Sequence, residues 1–273
     1  MTAWGVRDLT VRRGTRTALD GVTLDVVPGE VVAVVGGDGA GKTTLLRTLV
    51  GAITPVSGRV AAPALREIGF MPTTSGTWRE LSVQENVAFV GGAYGLRGAL
   101  LAERSERLLA ATGLAGVRRR AAGDLSGGMR QKLGFVLAML HEPALLVLDE
   151  PSTGVDPVSR VDLWRLVSSA AVAGTAVVMA TTYLDEAERA SGVLVLDRGR
   201  VLASGPPDEV VAGAPGVVRS VPAATVPAHA WRRGAQVREW FADPSGAPGE
   251  AVTPDLEDAV IAAALAKEAL SAR

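Results

Sequence analysis

Apolar positions fall into short runs punctuated by Gly-, Pro- and Asp-rich turns. Near the start, residues 4–12 and 22–27 read as strands on either side of the turn-like Arg13-Gly14-Thr15. Pro28-Gly29-Glu30 is a turn, and Val31–Val35 is an unbroken β-branched run, the pattern of a strand buried on both faces. Glycine follows at once, then a helical stretch at 42–50, which together make a βα unit. Further buried strands are predicted at 145–148, ending in Asp149-Glu150, at 175–180 and at 193–196. Helical segments at 158–173 and 184–189 lie between them. Such alternation predicts an α/β fold with a mostly parallel sheet covered on both faces. From about 75 to 140 the alternation stops and three helices follow one another, at 83–94, 100–112 and 127–140. This stretch reads as a helical insertion. After Ser204 the chain turns to Pro, Gly, Ala and Val, with a β-like run at 236–240 and an Ala-rich helix at 254–270. Thr253 is the expected cap, with Asp255 and Glu257 in the first turn. The chain thus divides into 1–204 and a small extension, 205–273.

Composition narrows the picture by exclusion. Hydrophobic residues make up 48% of the chain, enough for a substantial core. Yet no apolar run reaches the ~20 residues that cross a bilayer. The longest candidate, 135–139, lies beside Arg130 and Lys132. Met1 to Asp8 lacks the basic start and apolar centre of a secretory leader. Any service to a membrane is therefore expected to be peripheral. A net charge of −1 gives no global attraction for nucleic acid. The absence of cysteine excludes disulfides and thiolate-ligated zinc, and fits a reducing compartment. His141 and His229 are too far apart in sequence to form a ligand pair. Lysine occurs only at 42, 132 and 267, so a lysine inside a motif carries information.

Gly36-Gly37-Asp38-Gly39-Ala40-Gly41-Lys42-Thr43, with Thr44 behind it, matches the phosphate-cradling pattern G-x-x-x-x-G-K-[ST] in full. Triphosphate binding needs glycines that let backbone N–H groups approach, and a helix N-terminus for partial positive charge. It also needs a lysine for the β and γ oxygens and a hydroxyl for Mg2+. All are present, between a predicted strand and a predicted helix. Leu145 to Glu150 supplies the complement, an apolar strand ending in two acids. Asp149 is placed to hold Mg2+ through water, and Glu150 to polarise an attacking water.

Leu125-Ser126-Gly127-Gly128-Met129-Arg130-Gln131 resembles the LSGGQ signature of ABC ATPases, with Met129 where Gln is common. Ser152-Thr153-Gly154-Val155-Asp156-Pro157 resembles that family's D-loop. The resemblance covers about residues 3–205. It implies a P-loop NTPase core of the ABC ATPase type, with an N-terminal antiparallel β portion, the helical insertion and the C-terminal extension. Ser126 and the amides of Gly127, Gly128 and Met129 open a helix, an anion site. The resemblance implies that this second anion site caps the γ-phosphate held by a partner ATPase, so that two subunits sandwich two ATPs. It further implies a separate membrane permease and a peripheral position on the cytoplasmic face of the cell membrane. Residues 183–188 and 253–259 resemble ATPases paired with ABC-2 type export permeases, which handle drugs, lipids or polysaccharides.

Three positions depart from that family's pattern. Thr73 stands where a Mg2+- and water-contacting glutamine is usual. Thr182 stands where a histidine normally meets the γ-phosphate. Arg13 replaces the aromatic residue that stacks on adenine, and a guanidinium plane can take that role. Threonine is shorter than either lost group and has no imidazole. ATP binding is expected to survive and turnover at this chain's own site to be slow, because positioning is most of phosphoryl-transfer catalysis. A second ATPase subunit of different sequence is therefore expected. Two other classes compete. A DNA- or ribosome-directed ABC ATPase would carry a long coiled coil or two cassettes, and neither pattern is here. A soluble regulatory ABC ATPase that binds ATP with little hydrolysis fits Thr73 and Thr182 but not the retained Glu150.

Overall fold

A computed structural model describes residues 3–271, so the first two residues of the segment read for a leader lie outside it. Strands β1 (Trp4–Arg13), β2 (Arg16–Val26) and β3 (Val31–Val35) lead into helix α1 (Lys42–Leu49). Strands β4 (Ser57–Ala61) and β5 (Ile68–Met71) precede three helices, α2 (Val83–Ala93), α3 (Gly98–Ala111) and α4 (Gly127–Met139). Next come β6 (Leu145–Asp149), α5 (Pro157–Val172), β7 (Ala176–Thr181), α6 (Leu184–Ala187), β8 (Gly192–Asp197) and β9 (Arg200–Gly205). The chain closes with α7 (Pro207–Ala212), β10 (Val217–Val221), β11 (Ala230–Arg233), β12 (Gln236–Phe241), β13 (Glu250–Ala251) and α8 (Leu256–Ser271).

The central sheet runs β5-β6-β7-β3-β8-β9, parallel except for β9, which pairs antiparallel with β8. Its strands are apolar throughout because both faces are covered, and the two-residue period of a strand divides them between two cores. Val32 and Val34 of β3, with Leu145 and Val147 of β6, enter one core; Val31, Ala33 and Val35, with Leu146 and Leu148, enter the other. The first core is closed by an antiparallel sheet of order β2-β1-β4 and by α1, whose Leu45, Leu46 and Leu49 lie between the two sheets. Helices α4, α5 and α8 cover the other face. α2, α3 and α4 build a core of their own around Val83, Leu109, Leu133 and Leu140.

The α/β core, the N-terminal antiparallel portion and the helical insertion are as the sequence predicts. β1 and β2 run longer, to the register pair Arg13↔Arg16 across a two-residue turn. β4, β5, β9, β10, β11, β13 and α7 were not anticipated. β4 is exposed along its whole length and so has no apolar period to read. The expected helix at 184–189 is a single turn, Leu184–Ala187. The cap of α8 is a correction. Asp255, not Thr253, caps it: the Asp255 carboxylate accepts from the Asp258 N–H at 3.0 Å, and Asp258 accepts in return from the Asp255 N–H at 3.1 Å. This is the reciprocal geometry of a capping box, built from two aspartates.

The extension is not loosely attached. β10 to β13 form a separate antiparallel sheet, and α8 spans both bodies. Leu256 and Ala259 of α8 enter the central core, and Ala262 packs with Val218 and Trp240 of the C-terminal sheet. A buried ion pair, Arg238 with Asp258, ties β12 to the first turn of α8.

Candidate functional site

The parallel strands all end at one edge of the central sheet, where an open sheet of this kind forms its crevice. β3 delivers the glycine-rich loop there, β6 delivers Asp149 and Glu150, and β7 delivers Thr181 and Thr182. Gly36 turns the chain out of β3 at φ 155°, and a Cβ there would stand 2.3 Å from the Leu196 carbonyl oxygen. Only glycine fits that approach. The loop then feeds α1, whose first residue is Lys42.

Lys42 is 6% exposed, and its ammonium is fully engaged. Nζ donates to the Gly36 carbonyl at 2.7 Å and to the Gly37 carbonyl at 3.5 Å, and forms an ion pair with Glu150 Oε1 at 3.1 Å. Three partners match the three donors of an ammonium, which is how so buried a charge is tolerated. Thr43 Oγ1 donates to Asp149 Oδ1 at 3.1 Å. Asp149 is buried at the end of β6. Glu150 follows at φ 56°, a left-handed conformation unusual for a side-chain-bearing residue. Its Oε2 accepts from Thr153 Oγ1 at 2.8 Å and from Thr182 Oγ1 at 3.5 Å.

A cleft of about 490 Å³ opens over Lys42, Thr43 and Glu150, while Gly36, Asp149 and Thr182 do not line it. Gly37 to Thr44 line it, so Asp38, Gly39, Ala40 and Gly41 all face it together with Lys42, Thr43 and Thr44. Arg13, Arg16, Ala18, Arg47 and Glu150 complete the wall. Four cationic side chains face two acidic ones there, so the cleft is locally positive in a chain of net charge −1. Polyphosphate is the ligand class that such a lining suits. Arg16 and Arg47 were missed in the sequence. The hairpin register that sets Arg16 opposite Arg13 was the available signal for the first, and nothing singled out the second.

Mg2+ fits the pair Thr43 and Asp149. Thr43 offers a hydroxyl oxygen that can meet the ion directly, and Asp149, 3.1 Å from it, a carboxylate that can hold the ion through water. The described residues hold no group of three or more His, Asp or Glu side chains suited to a metal. One carboxylate and one hydroxyl are the usual protein share of a Mg2+ site that also uses phosphates.

Ser126, Gly127, Gly128, Met129 and Thr73 are not among the residues lining the cleft. Ser126 caps α4, its Oγ accepting from the Met129 N–H at 3.2 Å, while the Met129 side chain packs into the helical core. The Gly127 and Gly128 amides of that first helical turn have no helical acceptor. α4 is held against the start of α5 at close range: a Cβ on Gly128 would lie 2.7 Å from Ser159 Oγ. Asp156 caps α5, accepting from the Val158 and Ser159 N–H groups at 3.1 and 3.0 Å, and these bonds hold its carboxyl below the usual carboxylate range. Thr73 lies exposed in the turn after β5. Thr182 reaches the site only through Glu150. The backbone before it is pinned from below: Thr181 Oγ1 donates to Glu186 at 2.6 Å, and Arg160 pairs with Asp185 and Glu186 while stacking on Tyr183.

Comparison with known proteins gives concordant results. The ABC transporter family matches residues 19–153. A probable multidrug ABC transporter ATP-binding protein of Escherichia coli K12, YbhF, is 33% identical over 216 residues, which are 76% of this chain but only 37% of that relative's length. Nod factor export ATP-binding protein I of Cupriavidus metallidurans is 36% identical over 217 residues, 76% of this chain and 72% of the relative. A solved ATP-binding subunit of an ABC transporter superposes with a TM-score of 0.70 at 30% identity, over 77% of this chain and 92% of that structure. With the strand-ended, positively lined cleft and the motifs around it, these matches establish that the chain belongs to the ABC transporter family, among its ATP-binding proteins.

Proposed function

We propose that this chain hydrolyses Mg2+·ATP to power a separate membrane permease of the export type, seated peripherally on the cytoplasmic face of the cell membrane. The observation that carries the reading is the convergence of Lys42, Thr43 and Glu150 on one positive cleft, with the buried Asp149 hydrogen-bonded to Thr43 behind it. Export is supported by two relatives, one a probable multidrug ABC transporter protein and the other a Nod factor export protein. No helix among the described residues is long and apolar enough to cross a membrane, which fits a permease supplied by another chain. The mostly exposed segment around Thr73–Glu85, at the edge of the helical insertion, is the proposed permease contact.

In this reading the loop amides and Lys42 bind the β and γ phosphates, Thr43 and Asp149 hold Mg2+, and Arg13 stacks on the base. Mg2+ supplies charge neutralisation across the phosphate oxygens. As the phosphates take Lys42, Glu150 Oε1 loses its ion-pair partner and turns to the attacking water. The water oxygen bonds to the γ-phosphorus as the bond to the β–γ bridging oxygen breaks. A proton passes from that water to Glu150, and ADP and phosphate leave. Ser126 and the Gly127, Gly128 and Met129 turn cap the nucleotide of a second ATPase subunit. Thr73 and Thr182 slow the chain's own site, so that second subunit is a different chain with a complete site. The regulatory reading, ATP bound with little hydrolysis, is favoured by one observation, the ion pair that occupies Lys42 and Glu150 with each other.

Co-expression with a membrane protein encoded beside this chain tests the reading. The chain should co-purify with it, and carbonate should strip the chain from the membranes. Carbonate-resistant insertion without any partner contradicts the peripheral assignment.

A further inference from the structure

Glu150 is held more tightly than an activating carboxylate needs merely to be present. Its backbone N–H donates to the Ala180 carbonyl at 3.0 Å, which anchors a left-handed residue to the end of β7. The Thr153 N–H donates to the Glu150 carbonyl at 3.2 Å, closing a tight turn. The same threonine returns with its side chain, Thr153 Oγ1 donating to Oε2 at 2.8 Å. The contact from Thr182, at 3.5 Å, is at the outer limit of a hydrogen bond.

We propose that Thr153 is the positioning residue for Glu150, fixing the carboxylate through Oε2. The proposal rests on the reading of Glu150 as the water-activating group. The two carboxylate oxygens are used differently. Oε1 meets only Lys42, a partner that phosphate oxygens draw away. Oε2 meets two hydroxyls that nucleotide does not displace. A β-branched side chain is restricted at χ1, which limits the motion of Thr153 even at an exposed position. With Oε2 fixed, release of Lys42 frees Oε1 without letting the carboxylate swing into other rotamers. Thr182 alone, longer and weaker, cannot do this.

Single-turnover hydrolysis tests the proposal, with the full chain in excess over Mg2+·ATP so that only its own site is read. Thr153→Val should lower the rate roughly ten- to a hundredfold, the effect of losing a charged hydrogen bond and misplacing a reacting group. The chain concentration giving half-maximal rate should stay unchanged, and Thr153→Ser should keep most of the wild-type rate. In a Glu150→Gln background, Thr153→Val should add no further loss, as for residues acting through one group. A wild-type rate in Thr153→Val, or an equal loss in both backgrounds, overturns the positioning role while leaving Glu150's role intact. A wild-type chain no faster than Glu150→Gln overturns the reading of Glu150, and the proposal with it.

Discussion

Gly36 illustrates how far single residues decide this site. Its φ of 155° and the Leu196 carbonyl 2.3 Å from any Cβ leave no room for substitution. Gly36→Ala is expected to cost on the order of 1–3 kcal/mol from backbone strain, read as a lower urea midpoint, and to weaken nucleotide binding because the loop must shift. Lys42 shows why the motif was legible. With three lysines in the chain, one inside a glycine-rich loop before a helix has a single chemical reading. Arg47 shows the opposite, one arginine among many, whose place on the cleft wall depends on how α1 turns against the sheet.

At the scale of elements, the strands that matter most were the most readable, because burial on both faces leaves an unbroken apolar run. β4 and β13 were opaque for the converse reason: they are exposed and held by backbone pairing alone. The capping of α8 was legible in kind but misplaced by two residues, since the deciding bond joins Asp255 to Asp258. The junction of β5 with the helical insertion carries a further consequence. His141, just after α4, stacks on Tyr94 at the end of α2, with ring centroids 3.7 Å apart, and its Nε2 meets the Ile68 carbonyl at 3.1 Å. Burial pushes its pKa below the ordinary 6.5, and Arg104 adds to the effect against the opposing bond to Ile68. The neutral ring is therefore the one that fits. Stability is fully present above the unfolded value of 6.5 and is lost as pH falls through the lowered folded value. Resistance of wild type to denaturation should weaken as pH drops below 6.5, and His141→Phe should flatten that slope. An unchanged slope in the variant would place the acid sensitivity elsewhere.

At the scale of the molecule, the extension and the core behave as one packed body through α8. Leu256 is 1% exposed in the central core, so Leu256→Ala should destabilise the whole chain by about 2–5 kcal/mol in a single transition. A separate early transition of the C-terminal sheet would contradict this. The place of Ser126 outside the cleft, with threonine at 73 and 182, is what motivates the proposed pair of unlike ATPases. In the proposed pair of unlike ATPases, Ser126→Arg should block most ATPase activity of the purified complex by filling the cap over the partner's nucleotide. Glu150→Gln should reduce it much less. The opposite ranking contradicts the asymmetric pair.

All of this depends on the cleft being a nucleotide site. Titration of Mg2+·ATP into the folded chain by calorimetry measures that directly. Wild type should bind, and Lys42→Ala should bind at least about tenfold more weakly or not at all, because the cation aimed at the β and γ phosphates is gone. Lys42→Ala binding ATP as tightly as wild type would contradict the assignment of the cradle and everything built on it.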